Sequence, residues 1–303
     1  MKQVMVLGGS GMLGSMIVDV LTQGQNVHVT GTVRKTALPW TKRYPKAEWR
    51  AFDIETLDPG IFEGHHWIIN AIGITKPLIK DDNPEQIERA IEVNSLFPHR
   101  LAAAALKTGS RVIQIATDCV YSGTRGRYVE SDLHDAVDVY GKSKSLGETY
   151  HPNVHHLRCS IIGPEPKEFK FFIEWFRRQP RGAQVNGFRN HFWNGITTLH
   201  FARLCGAIIT NDLTLGHLQH MIPAGYVTKA EMLRHFARIY NRSDIEIADI
   251  DASVSIDRTL GTVNEERNDQ LWAAASYATP PSIPQMLDEL AAFDYRGNRE
   301  MVR

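Results

Sequence analysis

The chain opens on an unbroken apolar run, residues 4–7, and turns through a glycine-rich stretch into apolar residues at helical spacing over 12–21. Four apolar residues in a row suit a strand covered on both faces, as in a parallel sheet. The β-branched run 27–32 predicts a second strand, and 49–52, 67–72, 112–116 and 155–160 predict four more. Between them lie helical patterns at 84–107 and 138–150. The first is rich in Ala and Leu, with Glu85 and Glu88 near its start and Gly109 past its end, as the helix dipole and a glycine stop favour. Strand and helix alternate, so the expected fold is α/β: a doubly wound, mostly parallel sheet with right-handed crossovers.

Past Gly163 the rhythm breaks. Pro164, Pro166 and Pro180-Arg181-Gly182 punctuate the chain. Helical patterns at 169–178, 198–209, 229–240 and 283–293 then alternate with shorter β-like pieces such as 245–250. Two units are expected: a sheet domain over 1–163 and a smaller mixed α/β substrate lobe over 164–303, with room for some of its segments to pack back on the sheet. The tail from Arg296 is expected to fray.

Composition narrows the classes. A chain of 303 residues, 43% hydrophobic, can bury a large core. Its 34 basic and 34 acidic side chains cancel without forming a block of like charge, so neither nucleic acid nor an anionic membrane is expected as partner. Cys119, Cys159 and Cys205 are odd in number and far apart; they fit neither a disulfide framework nor a zinc spacing. The start lacks the order of a signal peptide, and the apolar runs are too short to span a bilayer, so a cytoplasmic protein is expected. The pairs His65-His66 and His155-His156 are sequence neighbours that share no face, so no metal site is expected.

The string Gly8-Gly9-Ser10-Gly11-Met12-Leu13-Gly14 follows the first strand and opens the first helix. In that context it reads as a dinucleotide-binding loop of Rossmann type. Gly8 permits the turn, Gly11 lets backbone approach a pyrophosphate, Gly14 allows close helix packing, and free N–H groups receive the anion. Ser10, Met12 and Leu13 complete the candidate contacts. Readers of NAD place an acid near the end of strand two. Here no Asp or Glu stands between Asp19 and Glu48, and Arg34-Lys35 occupy the place instead. Two cations there suit a 2′-phosphate, so NADP(H) is expected over NAD(H).

Tyr140 and Lys144 stand four residues apart on a predicted helix, hence on one face. A phenol titrates near 10 in isolation, and a neighbouring ammonium favours its ionised form. Thr117 lies at the carboxyl end of the fifth strand, where ligands of an open α/β sheet bind.

Taken together, GGSGMLG, NAIG (residues 70–73), ATDCVY and YGKSK make the sequence resemble the extended short-chain dehydrogenase/reductase superfamily. The segments 117–123, 140–148 and 157–163 are similar to patterns of its dTDP-4-dehydrorhamnose reductase branch. The resemblance covers residues 1 to about 165 and thins beyond. It implies a catalytic set of Thr117, Tyr140 and Lys144, the last two also touching cofactor. It implies adenine contacts at Asp53 and Ile54, cofactor contacts at Asn70, Ala71 and Gly73, and a family-type Asn at Asn94. Thr75 and Asp118 are expected to touch substrate. So are Asn190 and Trp193, within a run (186–197) dense in aromatic and amide groups that departs from the branch pattern. The implied reaction is reduction, with NADPH as hydride source, of a nucleotide-linked 4-keto-6-deoxy sugar or a UDP-linked 2-acetamido-4-keto sugar; a homodimer is allowed. An epimerase or dehydratase of the same superfamily is the enzymatic rival. Dehydratases there follow the Thr with an acidic pair, of which only Asp118 is present and Cys119 replaces the Glu. The branch also holds the methionine adenosyltransferase β subunit, so a non-catalytic, dinucleotide-binding regulatory subunit is a further alternative.

Overall fold

The computed structural model describes residues 1–35 and 38–298. The first half runs β1 (Lys2–Leu7), α1 (Met12–Gln23), β2 (Val27–Val33), α2 (Leu38–Arg43), β3 (Glu48–Ala51), β4 (Trp67–Asn70), α3 (Pro84–Ala90), α4 (Phe97–Lys107), β5 (Arg111–Ala116), α5 (Val139–Leu146) and β6 (Val154–Arg158). The second half adds β7 (Ile161–Ile162), α6 (Phe172–Arg177), β8 (Gln184–Phe188), β9 (His191–Trp193), β10 (Ile196–Thr197), α7 (Thr198–Thr210), β11 (Leu218–His220), β12 (Val227–Thr228), α8 (Lys229–Ile239), β13 (Glu246–Ile250), β14 (Ile256–Asp257), α9 (Glu265–Ala274) and α10 (Ile283–Ala292).

Seven strands form one parallel sheet in the order β11-β6-β5-β4-β1-β2-β3. The apolar run of β1 explains its centre. Val4 and Val6 point into the core that contains α1 and α7, Met5 and Leu7 into the core with Phe52, Phe97 and Leu101, and all four are fully buried. The doubly wound α/β fold predicted from the alternation is the one observed.

Several expectations need correcting. The helix expected over 84–107 is interrupted by a π-helical turn, Ile91–Leu96, between α3 and α4. The helix expected over 138–150 is the shorter α5, which Gly147 ends. Strand β11 and helix α9 had no counterpart in the pattern. The three residues of β11 show no alternation, and α9 buries only Asn268, Leu271 and Trp272. Helix α7 packs against α1, and β11 extends the main sheet beside β6. The tail is tied down through its first residues: Tyr295 Oη and Ser15 Oγ are 2.5 Å apart, and Arg296 N–H donates to Asp19 at 2.7 Å. Residues 299–303 of the expected frayed tail lie outside the described residues. Among the described residues no helix is long and apolar enough to cross a membrane.

Candidate active site

Because every strand of the sheet is parallel, the glycine loop after β1 and Thr117 after β5 lie on the same edge. Gly8 has φ +75°, and its N–H donates to Thr32 Oγ1 at 3.1 Å. The Gly11 N–H closes the turn on the Gly8 carbonyl at 2.9 Å. A Cβ on Gly14 would collide with the Gly8 carbonyl, so this glycine lets α1 press on the loop itself. A Cβ on Gly11 would meet only the Gly8 oxygen, at 3.4 Å; the space beyond it is open. Helix α1 begins at Met12 and Leu13 with no side-chain cap, which leaves its first N–H groups for a ligand.

Arg34 and Lys35 are exposed past the end of β2, with no carboxylate paired to either among the described residues. Asp53 is exposed and accepts the Glu55 N–H at 3.0 Å, while the Ile54 side chain is buried among Phe52, Phe62 and Phe97. Asn70 is fully buried and spends its amide internally, donating to Gln114 at 2.7 Å and accepting from Ile72 N–H at 3.1 Å. It therefore shapes the turn through Ala71 and Gly73. Asn94 sits in the π-helical turn, where its amide pairs with both backbone groups of Ile74 at 2.9 Å and donates to Ser143 Oγ at 3.2 Å. It ties the loop after β4 to α5. Thr75 Oγ1 is buried without a hydrogen-bond partner.

Helix α5 carries Tyr140 and Lys144. Asp138 caps it, accepting from Gly141 N–H at 2.8 Å, and Lys76 holds that carboxylate at 2.6 Å. Gly141 faces the Cys119 carbonyl and Gly147 faces the Asn94 carbonyl so closely that a Cβ at either would collide. Gly141 docks the helix against the loop after β5, and Gly147 docks its end against the π-helical turn. Tyr140 thus comes beside Thr117, whose hydroxyl donates to Asp118 at 3.2 Å and accepts from Cys119 N–H at 3.2 Å. Burial raises the Tyr140 pKa, Cys119 and Asp118 add to the rise, and hydrogen bonding to Thr117 opposes it. Burial dominates, and the phenol is held in its acid form. Lys144 donates to the Ile115 carbonyl at 3.0 Å, and burial brings its pKa down to about 8.

Two side chains absent from the sequence reading, Lys229 and Arg258, reach this site. Burial raises the Asp118 pKa, against the charges of Arg258 and Lys229 that lower it. Lys229, at the first turn of α8, stands 4.5 Å from the Phe172 ring centroid, and burial takes its pKa down to about 8. Arg258, past β14, donates to the Tyr121 carbonyl at 2.8 Å. Cys119 is pushed up to about 12, mainly by burial, so it remains a thiol.

In the run 186–197 the two candidate side chains make contacts within the fold. Asn190 gives its side-chain oxygen to Ala252 N–H at 2.9 Å and its NH2 to the Ala252 carbonyl at 2.8 Å. Trp193 is buried and donates to Ser160 Oγ at 2.8 Å. The Trp193 indole N–H is thus spent inside the fold, whereas half-buried Asn190 keeps its second amide N–H.

Behind Lys144 lies a buried network. Arg158, fully buried, donates to both Glu148 oxygens (2.5 and 2.6 Å), Tyr121 Oη (2.8 Å), His220 Nε2 (2.9 Å) and His134 Nε2 (2.8 Å). A guanidinium only donates, so both imidazoles must accept through neutral Nε2. His220 accordingly points Nδ1 at the Gly261 carbonyl, 2.8 Å away. Burial also depresses nearby His156, to about 4. A group with a lowered folded pKa stabilises the protein above its unfolded value, and that contribution disappears as pH falls toward the folded value. We expect the Tm to hold above pH 6.5 and to drop as pH falls from 6.5 toward 4. A flat Tm across that window, measured by calorimetry, would contradict the neutral assignment.

A family model described as RmlD substrate binding domain matches residues 1–251. Among curated proteins, the dTDP-4-dehydrorhamnose reductase of Aggregatibacter actinomycetemcomitans is 28% identical over 150 residues, 49% of this chain and 46% of that protein. Methionine adenosyltransferase 2 subunit beta of Bos taurus is 26% identical over 148 residues, 48% of this chain and 42% of that protein. The matched span is thus less than half the length of these relatives. Among solved structures, dTDP-4-dehydrorhamnose reductase from Bacillus anthracis in complex with NADP superposes with a TM-score of 0.70 at 18% identity, covering 96% of this chain and 99% of that one. UDP-glucuronic acid 4-epimerase from Bacillus cereus, in complex with UDP-glucuronic acid and NAD, gives 0.75 at 15% identity, covering 97% and 98%.

Proposed function

Because the chain belongs to the RmlD substrate binding domain family, we propose that it is a reductase acting with NADPH on the ketone of a nucleotide-linked 4-keto-6-deoxy sugar. The observation that carries this reading is the gathering of Thr117, Tyr140 and Lys144 where β5 ends, on the sheet edge that also bears the glycine loop. The loop suits a dinucleotide: open space over Gly11, an uncapped α1, and exposed Arg34 and Lys35.

When bound, NADPH supplies the hydride. Tyr140, kept protonated by burial, gives its proton to the developing alkoxide. Thr117 orients the carbonyl beside the phenol. Lys144 stabilises the phenolate that remains, since an ammonium in a buried site favours the adjacent anion. Lys229 and Arg258 bring positive charge to the pocket from the second half, as an anionic nucleotide-linked substrate favours. Cys119, fixed as a thiol, does not supply the second acid that the dehydratase relatives carry.

The test is turnover of a panel of nucleotide-linked 4-keto sugars with NADPH. Net loss of NADPH supports a reductase, whereas an epimerase or dehydratase returns its cofactor unchanged. A regulatory reading is favoured by the match to methionine adenosyltransferase 2 subunit beta. Co-purification with another enzyme, combined with no ketosugar turnover, would select it.

A further inference from the structure

Lys167 belongs to the segment between β7 and α6, well past the glycine loop in sequence. Its Nζ nevertheless donates to Ser10 Oγ in that loop at 3.2 Å, across 157 residues of chain. The same ammonium lies 5.9 Å from the centroid of the Trp40 ring. Trp40 is part of α2, in the connection from β2 to β3; it stacks with Tyr44 at 6.4 Å and meets Trp49 at 5.7 Å. The position of Lys167 is set by its neighbours. Glu168 and Phe169 both adopt left-handed φ, +69° and +54°, an uncommon conformation for residues other than glycine. Phe169 N–H folds back on the Lys167 carbonyl at 2.9 Å, and Arg178 covers the Phe169 ring at 3.9 Å.

Burial chiefly disfavours the Lys167 charge; the Glu168 carboxylate favours it, and the Arg34 guanidinium repels it. Two cations, one hydroxyl and one aromatic face therefore surround a single region. An anion there would turn the repulsion into two charge-assisted hydrogen bonds. The region stands at the end of β2, on the adenosine side of a dinucleotide, whereas the pyrophosphate belongs to the N–H groups of α1.

We propose that Lys167, flanked by the Trp40 ring, reads the 2′-phosphate of NADP(H) from the second half of the chain, completing with Ser10 and Arg34 a site for a phosphate monoester. The inference rests on the reading that the glycine loop holds a dinucleotide. It makes cofactor choice a property of both halves of the chain.

The experiment is titration of the full chain, without substrate, with NADP+ and NAD+ by calorimetry. Wild type is compared with Lys167→Gln and Lys167→Arg, whose exposed position leaves folding intact. Lys167→Gln is expected to weaken NADP+ about tenfold, the equivalent of one charge-assisted hydrogen bond, with NAD+ binding unchanged and Lys167→Arg close to wild type. Equal loss for NADP+ and NAD+ would place Lys167 on the pyrophosphate and overturn the proposal. No change for either would also overturn it, while the dinucleotide reading would stand. Failure of the wild type to bind either nucleotide would remove the dinucleotide reading and the proposal together.

Discussion

Tyr140→Phe is expected to lower kcat by about 10²- to 10⁴-fold, the range that a positioned general acid contributes. NADPH affinity should stay within about twofold, because the substitution removes one oxygen and leaves the ring that packs beside Thr117. The direction follows from where the phenol sits. Burial and the neighbouring Asp118 and Cys119 disfavour phenolate, so the resting side chain holds the proton that reduction consumes. Steady-state kinetics with the best nucleotide ketosugar, together with NADPH titration, separates the two effects. Near-normal turnover in the variant would remove Tyr140 from the mechanism.

The second large effect is on stability. Arg158→Leu leaves Glu148 with its guanidinium removed, and also strips donors from His134, His220 and Tyr121. Breaking one side of a buried ion pair costs about 3–5 kcal/mol, since the remaining charge stays desolvated. A Tm lowered by several degrees is therefore expected. Arg158→Leu combined with Glu148→Leu should recover part of the loss, because removing both charges removes the uncompensated one. The network also touches the site. Beside the dominant effect of burial, Glu148 raises the Lys144 pKa and Arg158 lowers it, so the pair contributes to the field at that ammonium. If Arg158→Leu melts like wild type, the pair is not holding the fold.

What was legible in the sequence was local. Strand β1 shows as a buried strand because four apolar residues in a row have few other uses, and the glycine loop shows because its spacing answers a steric demand that the Gly8–Gly14 contact makes explicit. Tyr140 and Lys144 show because a helix fixes which residues share a face. Lys229, Arg258 and Lys167 did not show, since nothing in their own neighbourhoods says which distant segment they meet. The contacts of Asn190 and Trp193 with Ala252 and Ser160 did not show for a related reason: an amide or an indole offers the same donors to a sugar as to the fold. One signal was available and unused. Gly141 and Gly147 interrupt a helical pattern, and an isolated glycine there marks close backbone approach; both dock α5. The π-helical turn at Ile91–Leu96 left no such mark, because it holds neither glycine nor proline.

The glycine loop by itself suits dinucleotide binding, and on the proposed reading Thr117, Tyr140 and Lys144 extend that to hydride chemistry on a sugar ketone. The most direct measurement supplies NADPH deuterated at the transferable position of its nicotinamide, with a nucleotide-linked 4-keto-6-deoxy sugar, and reads the product by mass spectrometry. The account predicts one deuterium on the new carbinol carbon for each NADPH oxidised. A product without the label, or full recovery of the cofactor, would contradict it.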